Sequence, residues 1–178
     1  MIFERTDVDG VWVVEPERFE DERGFFARIW DTAEFAQRGL NAGLAQSSIS
    51  FNRRRGTLRG MHYQVSPHEE AKLVRCTSGA IFDVALDLRA ESPTYLHWHG
   101  VELSAANRLA LFVPEGCAHG FLTLTDDSEV HYLISEFWTP DAGRGVRWND
   151  PAFDIAWPGD VVVVNDRDRT YPDFQGGQ

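Results

Sequence analysis

The sequence predicts an all-β chain folded as an antiparallel sandwich or barrel. Three observations predict it: short runs rich in β-branched and aromatic residues, polarity that alternates with period two in several of them, and turn residues recurring between them. The first run, VWVVEP (11–16), is valine-rich and ends at a proline. A helix follows over 32–38 in DTAEFAQRGL, with Asp31 or Thr32 as N-cap and Gly39 as terminator. The stretch GTLRGMHYQ (56–64) is extended, and its two glycines permit a tight turn or a close backbone approach. Leu58 and Arg59 face opposite sides of it, so Arg59 and His62 share a face only if the strand bulges near Gly60. Further strands are LVRCTSGAIFDVALDLR (73–89), HWHGVEL (97–103), RLALFVP (108–114), GFLTLTD (120–126) and EVHYLISEFW (129–138). TSG, RAESP, SAAN, PEG and DDS punctuate these runs. Many short strands with almost no helix leave a sandwich or a barrel, and pattern alone goes no further.

Composition narrows the function classes. At 178 residues, 43% hydrophobic and 25% charged, the chain suits one well-buried core, expected as a single domain over 1–178. A formal net charge of −11 argues against nucleic acid as the main partner, because phosphate backbones demand a broad basic surface. No basic region followed by an apolar one opens the chain at MIFERTDVDG, and no apolar run approaches membrane-spanning length. Cys76 and Cys117 are too few and too far apart for a disulfide scaffold or a zinc site. The expectation is a cytoplasmic protein with two buried thiols and no membrane partner.

Against that acidic background, Arg53, Arg54, Arg55 and Arg59 cluster within seven residues, with His62 just beyond. Such a knot serves a solvated turn, a local salt bridge or an anion. Lys72 is the single lysine beside sixteen arginines, a compact point charge where the chain otherwise uses flat guanidinium forks. His97 and His99 share a strand face, the spacing by which some barrels hold a metal. No third and fourth ligand completes the order at convincing intervals, so a metal site is not expected. His119, in PEGCAHGFLTL, sits where an imidazole reaches a barrel mouth or is satisfied by backbone in the core. Tyr132 lies on the strand face opposite His131, and NDRDRTYPDF (165–174) reads by itself as a solvated charged loop.

In combination these features are specific. FEDERGFF, GTLRGMHYQ, KLVRC, IFDVALDLR, ESPTY, LSAANRLALFVPEGCAHGFLTL, EVHYLIS, RWNDP and IAWP, in this order from about residue 15 to 174, closely resemble the dTDP-4-dehydrorhamnose 3,5-epimerase family. Its members act on 4-keto-6-deoxy sugars carried on a nucleoside diphosphate. The resemblance implies a cupin-type jelly-roll barrel with a few short helices, no catalytic metal or other cofactor, and a homodimer. It implies His62 as catalytic base, Asp168 as the carboxylate partner of that base, Lys72 beside the sugar's C4 oxygen and Tyr132 as general acid. It implies Arg59 and Arg23 at the diphosphate, His119 in the sugar pocket, and Phe26 and Gln46 among the substrate contacts. Arg53–Arg55 match no family role and read as a basic rim.

The chemistry explains why such residues are needed. Epimerisation beside a ketone removes a carbon-bound proton and returns one to the opposite face through an enolate on the C4 oxygen. Imidazole suits the abstraction, and a buried carboxylate fixes its tautomer. A preplaced cation stabilises the enolate oxygen, and a phenol across the ring returns the proton. Arginines receive the two charges of the diphosphate.

Three departures from the family pattern surround the nucleotide-facing part of the pocket. Arg28 stands at a Glu position of the family, QSS (46–48) replaces Gln-Asp-Asn with one extra residue before Leu58, and Gly143 replaces a Glu. Ser47 and Ser48 therefore stand at the positions of the Asp and the Asn, and Asn52 cannot be equated with that Asn. The proton-transfer residues are untouched, so the chemistry is better marked than the carrier. The competing expectations are a single-centre epimerase or 3,4-ketoisomerase and, from another class, a non-catalytic sugar-nucleotide-binding cupin.

Overall fold

The computed structural model describes residues 1–176. In chain order the elements are β1 (Ile2–Arg5), β2 (Trp12–Glu15), β3 (Arg18–Asp21), β4 (Gly24–Ala27), α1 (Thr32–Ala36), β5 (Gln46–Asn52), β6 (Leu58–Gln64), β7 (Lys72–Ser78), β8 (Ala80–Asp87), β9 (Trp98–Ser104), β10 (Ala110–Val113), β11 (Cys117–Thr123), β12 (Ser128–Ile134), β13 (Gly143–Gly145) and α2 (Asp166–Arg169). Six strands form one sheet in the order β1-β2-β10-β7-β12-β5, and five form a second, β13-β6-β11-β8-β9. β3 and β4 make a separate hairpin. Every pairing between these strands is antiparallel, and the two large sheets face each other as the jelly-roll barrel that the resemblance implies.

Apolar burial explains why the central strands read as runs rather than strict alternations. Val74 and Cys76 of β7, Ile81 and Ala85 of β8, Phe121 of β11 and Val130 of β12 pack between the sheets. Neighbouring positions are covered from outside. Phe35 of α1, fully buried, packs on Leu73, Ala110 and Phe112 across the six-stranded sheet. Phe153 and the partly buried Trp157 cover Met61, Val84, Leu86 and Ala118 on the other sheet. Strands buried on both faces lose the polar member of the alternation.

The run at 73–89 divides into two strands at Gly79. This residue (φ +73) turns the chain from one sheet to the other, and a Cβ there would lie 2.5 Å from Thr125 Oγ1 and 2.7 Å from Ser128 Oγ. The helix ends two residues earlier than the sequence predicts, at Ala36, with Asp31 as its cap. The Asp31 carboxylate accepts from the Ala33 N–H at 2.9 Å and the Glu34 N–H at 3.1 Å. α2 was expected as loop; it forms because Asn165 caps it, its Oδ1 accepting from the Asp168 N–H at 2.7 Å. β5 goes unmarked because its pattern is inverted: Gln46, Ser48 and Ser50 face a cavity while Ile49 and Phe51 face outward.

Candidate active site

That cavity, about 370 Å³, opens between the sheets at one end of the barrel. His62, Lys72, Tyr132 and Asp168 all line it, with Arg59, His119 and Gln46. A second hollow, about 410 Å³, holds none of the first four. The functional reading therefore rests on the first.

β6 and β11 meet with a shift of register between His119 and Phe121, so that His62 pairs with His119 and Arg59 with Phe121. The sequence requires this irregularity for Arg59 and His62 to share a face, and both line the cavity. Two glycines permit the approach: a Cβ on Gly60 would stand 2.5 Å from the Gly120 Cα.

α2 carries Asp168 against β6. Its carboxylate is fully buried and accepts from His62 Nε2 at 2.7 Å and from the Gly60 N–H at 3.1 Å. Burial by itself would raise this carboxyl. The His62 hydrogen bond and charge, with the Gly60 N–H and Arg167, outweigh it and hold the group below its ordinary value. An ionised Asp168 makes His62 Nε2 the protonated nitrogen and leaves Nδ1 as the basic atom. The predicted charged loop is the element that holds Asp168 against His62.

Lys72 opens β7 with its ammonium 2.7 Å from Glu70 Oε1, both side chains nearly buried. Its register neighbour Ile134 and the inward-facing Tyr132 stand on β12. Burial first, then the charge of Asp83, pushes the Tyr132 phenol well above its ordinary value, against weaker opposition from Arg59 and Ser50. Tyr132 therefore holds its proton at neutral pH. His131, on the other strand face, meets Ser47 at 2.9 Å outside the barrel.

Arg59 is steered by Asn52, whose Oδ1 accepts from the guanidinium Nε at 2.8 Å. Arg144 and Arg167 line the same cavity, giving an acidic chain a cationic mouth. Gln46 accepts from the Trp138 N–H at 2.8 Å, and Ser48 lines the wall beside it. Gly143 has a local reason: a Cβ there would lie 2.3 Å from Cη2 of Trp138, whose indole occupies that space. Arg28 lies 3.5 Å from Asp31.

Two expected contacts are not brought to the cavity of the same chain. Arg23 sits in the β3–β4 turn with its side chain 84% exposed, paired to Asp21, and Phe26 is 68% exposed on β4. Arg53, Arg54 and Arg55 are exposed in the turn before β6 and do not line the cavity. His97 and His99 stand away from it, and among the described residues no group of three His, Cys, Asp or Glu is arranged to hold a metal. Sequence reasoning missed Glu70, Asp83, Trp138, Arg144 and Arg167. Asp83 left one signal, a carboxylate inside the apolar run IFDVALD.

Residues 5–176 match the profile of the dTDP-4-dehydrorhamnose 3,5-epimerase family. The chain belongs to that family. It is therefore an epimerase, an isomerase-class enzyme. The dTDP-4-dehydrorhamnose 3,5-epimerase of Methanothermobacter thermautotrophicus is 42% identical over 172 residues, 95% of this chain and 92% of the relative. The crystal structure of the epimerase from Elizabethkingia anophelis NUHP1 superposes with a TM-score of 0.95 at 36% identity, covering 98% of this chain and 96% of that one. A 3'-monoepimerase from Streptomyces bikiniensis, solved with dTDP-quinovose, gives 0.86 at 34% identity, covering 94% and 85%. In this member of the 3,5-epimerase family, the departures at Ser48 and Gly143 fall on the cavity wall around Trp138, and the four proton-transfer candidates stand together.

Proposed function

We propose that the chain inverts C3 and C5 of an NDP-4-keto-6-deoxyhexose, dTDP-4-dehydro-6-deoxyglucose foremost, through an enolate. The observation that carries this reading is the convergence of His62, Lys72, Tyr132 and Asp168 on one cavity. Asp168 holds His62 with Nδ1 free, and that atom takes the carbon-bound proton. Charge develops on the C4 oxygen, where the Lys72 ammonium stabilises it. The Tyr132 phenol, protonated at neutral pH, returns a proton from the opposite face. Arg59, with Arg144 and Arg167 at the mouth, receives the diphosphate.

The reading includes a homodimer. Phe19 and Phe26 of the β3–β4 hairpin and Ile49 and Phe51 of edge strand β5 are each at least half exposed, a large apolar surface for a lone chain. A second copy would also supply a place for Arg23 and Phe26, which do not line the candidate cavity of their own chain.

The likeness to a 3'-monoepimerase favours a single-centre reaction as the second reading. Incubation with dTDP-4-keto-6-deoxyglucose in D₂O, followed by NMR, separates the readings. Exchange at C3 and C5 supports the proposal, and exchange at one centre supports the second reading. A 3-keto product indicates ketoisomerase activity, and binding without exchange indicates a non-catalytic module.

A further inference from the structure

Glu70 and Lys72 flank Ala71 at the start of β7, and both line the cavity. Ala71 is pinned from two sides by Ser135: its N–H donates to Ser135 Oγ at 2.8 Å, and its carbonyl accepts from the Ser135 N–H at 3.0 Å. The segment that carries the ammonium therefore carries the carboxylate just as firmly. Glu70 Oε1 lies 2.7 Å from Lys72 Nζ, and the Glu70 side chain is only 8% exposed. No donor other than Lys72 reaches this carboxylate among the described residues. A carboxylate that did no more than neutralise Lys72 would weaken the cation where enolate charge develops.

The cavity has a direction. Lys72, Ile134 and Gln46 stand in one row across β7, β12 and β5. Arg59 is held by Asn52 at the other end of β5, roughly 20 Å of strand away. A sugar whose diphosphate sits on Arg59 therefore points the ring edge opposite C1 at the Lys72 row. With the C4 oxygen on the ammonium, the Glu70 carboxylate beside that ammonium faces a neighbour of C4. The two neighbours differ in chemistry: C3 carries a hydroxyl and C5 a methyl. A buried carboxylate is stabilised by a donor and penalised against a methyl. Ile134 and Trp138, which line the same cavity, offer the methyl an apolar surface.

We infer that Glu70 accepts the C3 hydroxyl of the bound sugar, and so selects 4-keto sugars with a free hydroxyl beside the ketone. The inference rests on the proposed placement of the C4 oxygen on Lys72 and of the diphosphate on Arg59. The hydrogen bond orients the ring about its C1–C4 axis, with C3 toward the carboxylate and C5 toward Ile134 and Trp138. Glu70 moves no proton in this scheme; it is a specificity-determining residue. A hydroxyl bonded to a carboxylate contributes more than one bonded to a neutral acceptor, and a sugar without it leaves the carboxylate only partly satisfied.

The test follows deuterium uptake at C5 in D₂O for dTDP-4-keto-6-deoxyglucose and for its 3-deoxy analogue, and compares kcat/KM. Wild type prefers the hydroxyl sugar about 10- to 100-fold, the range of a hydrogen bond to a charged group. In Glu70→Leu the preference collapses to within about twofold, whatever the absolute rate of the variant. Should Glu70→Leu lose cooperative melting, Glu70→Gln is scored by the same ratio and shows a reduced preference, because its amide is uncharged. Wild type that takes both sugars equally overturns the inference. A preference unchanged in the folded variant also overturns it, since the carboxylate then serves Lys72 alone. Wild type without uptake at C5 of the hydroxyl sugar overturns the proposed function instead, and the inference falls with it.

Discussion

Asp168→Asn isolates what the carboxylate does for His62, the proposed base. The amide is nearly isosteric, and its oxygen can keep the 3.1 Å bond from the Gly60 N–H. Its NH₂ then points at His62 Nε2, where an ionised oxygen now accepts at 2.7 Å. A donor in that place forces the proton of His62 onto Nδ1, the atom that the proposed mechanism needs free. It also removes the negative charge that stabilises the imidazolium. Inverting the tautomer of a catalytic histidine in this way costs about 10⁴-fold in turnover, equivalent to about 5 kcal/mol of barrier. The substrate contacts are unchanged, so the loss falls on kcat and leaves KM close to wild type. The assay is the rate of deuterium uptake at C3 and C5, with a thermal melt to establish folding. A folded Asp168→Asn enzyme exchanging within tenfold of wild type would refute the argument that Asp168 sets the tautomer.

Lys72→Met should lower turnover on the order of 10²–10³-fold by removing the preplaced cation, with the buried Glu70 left unpaired and the melting temperature reduced. Asp87 should make the fold acid-sensitive. Burial opposes its charge, but hydrogen bonds from Arg89, Ser92 and Thr94 lower its carboxyl from 3.8 to about 2. A depressed folded-state value stabilises above pH 4 and is lost as pH falls toward 2, contributing about 2 kcal/mol at neutrality. Denaturant titrations should accordingly show Asp87→Asn weaker than wild type at pH 7, with the gap closing through the acid range; a gap that widens there contradicts the sign. Phe35→Ala should cost about 3–5 kcal/mol in the same titration, since the ring is fully buried against Phe112 and Trp30.

The strands that pack on both faces were legible because apolar runs and turn residues are local signals. β5 was not, because a cavity wall turns polar residues inward and reverses the usual pattern. The division at Gly79 was half legible: TSG reads as a turn, but only the sheet topology says that the two halves belong to different sheets. At the site, His62, Lys72 and Tyr132 could be named from motifs, and the need for a bulge near Gly60 followed from parity alone. Asp168 could be named as well, but only through the family resemblance, because it stands 106 residues from His62, a separation no local pattern bridges. Asp83 and Glu70 were missed for a related reason: a carboxylate in a strand or loop gives no sign of the cation that folding brings to it.

The central claim is that an imidazole and a phenol address opposite faces of one bound ketose while an ammonium holds the oxygen between them. A crystal structure of this chain with a dTDP-linked 6-deoxy sugar tests it most directly. The account predicts the sugar ring between His62 Nδ1 and the Tyr132 hydroxyl, the C4 oxygen on Lys72 and the diphosphate on Arg59. A ring with both side chains on the same face, or a C4 oxygen remote from Lys72, would contradict it.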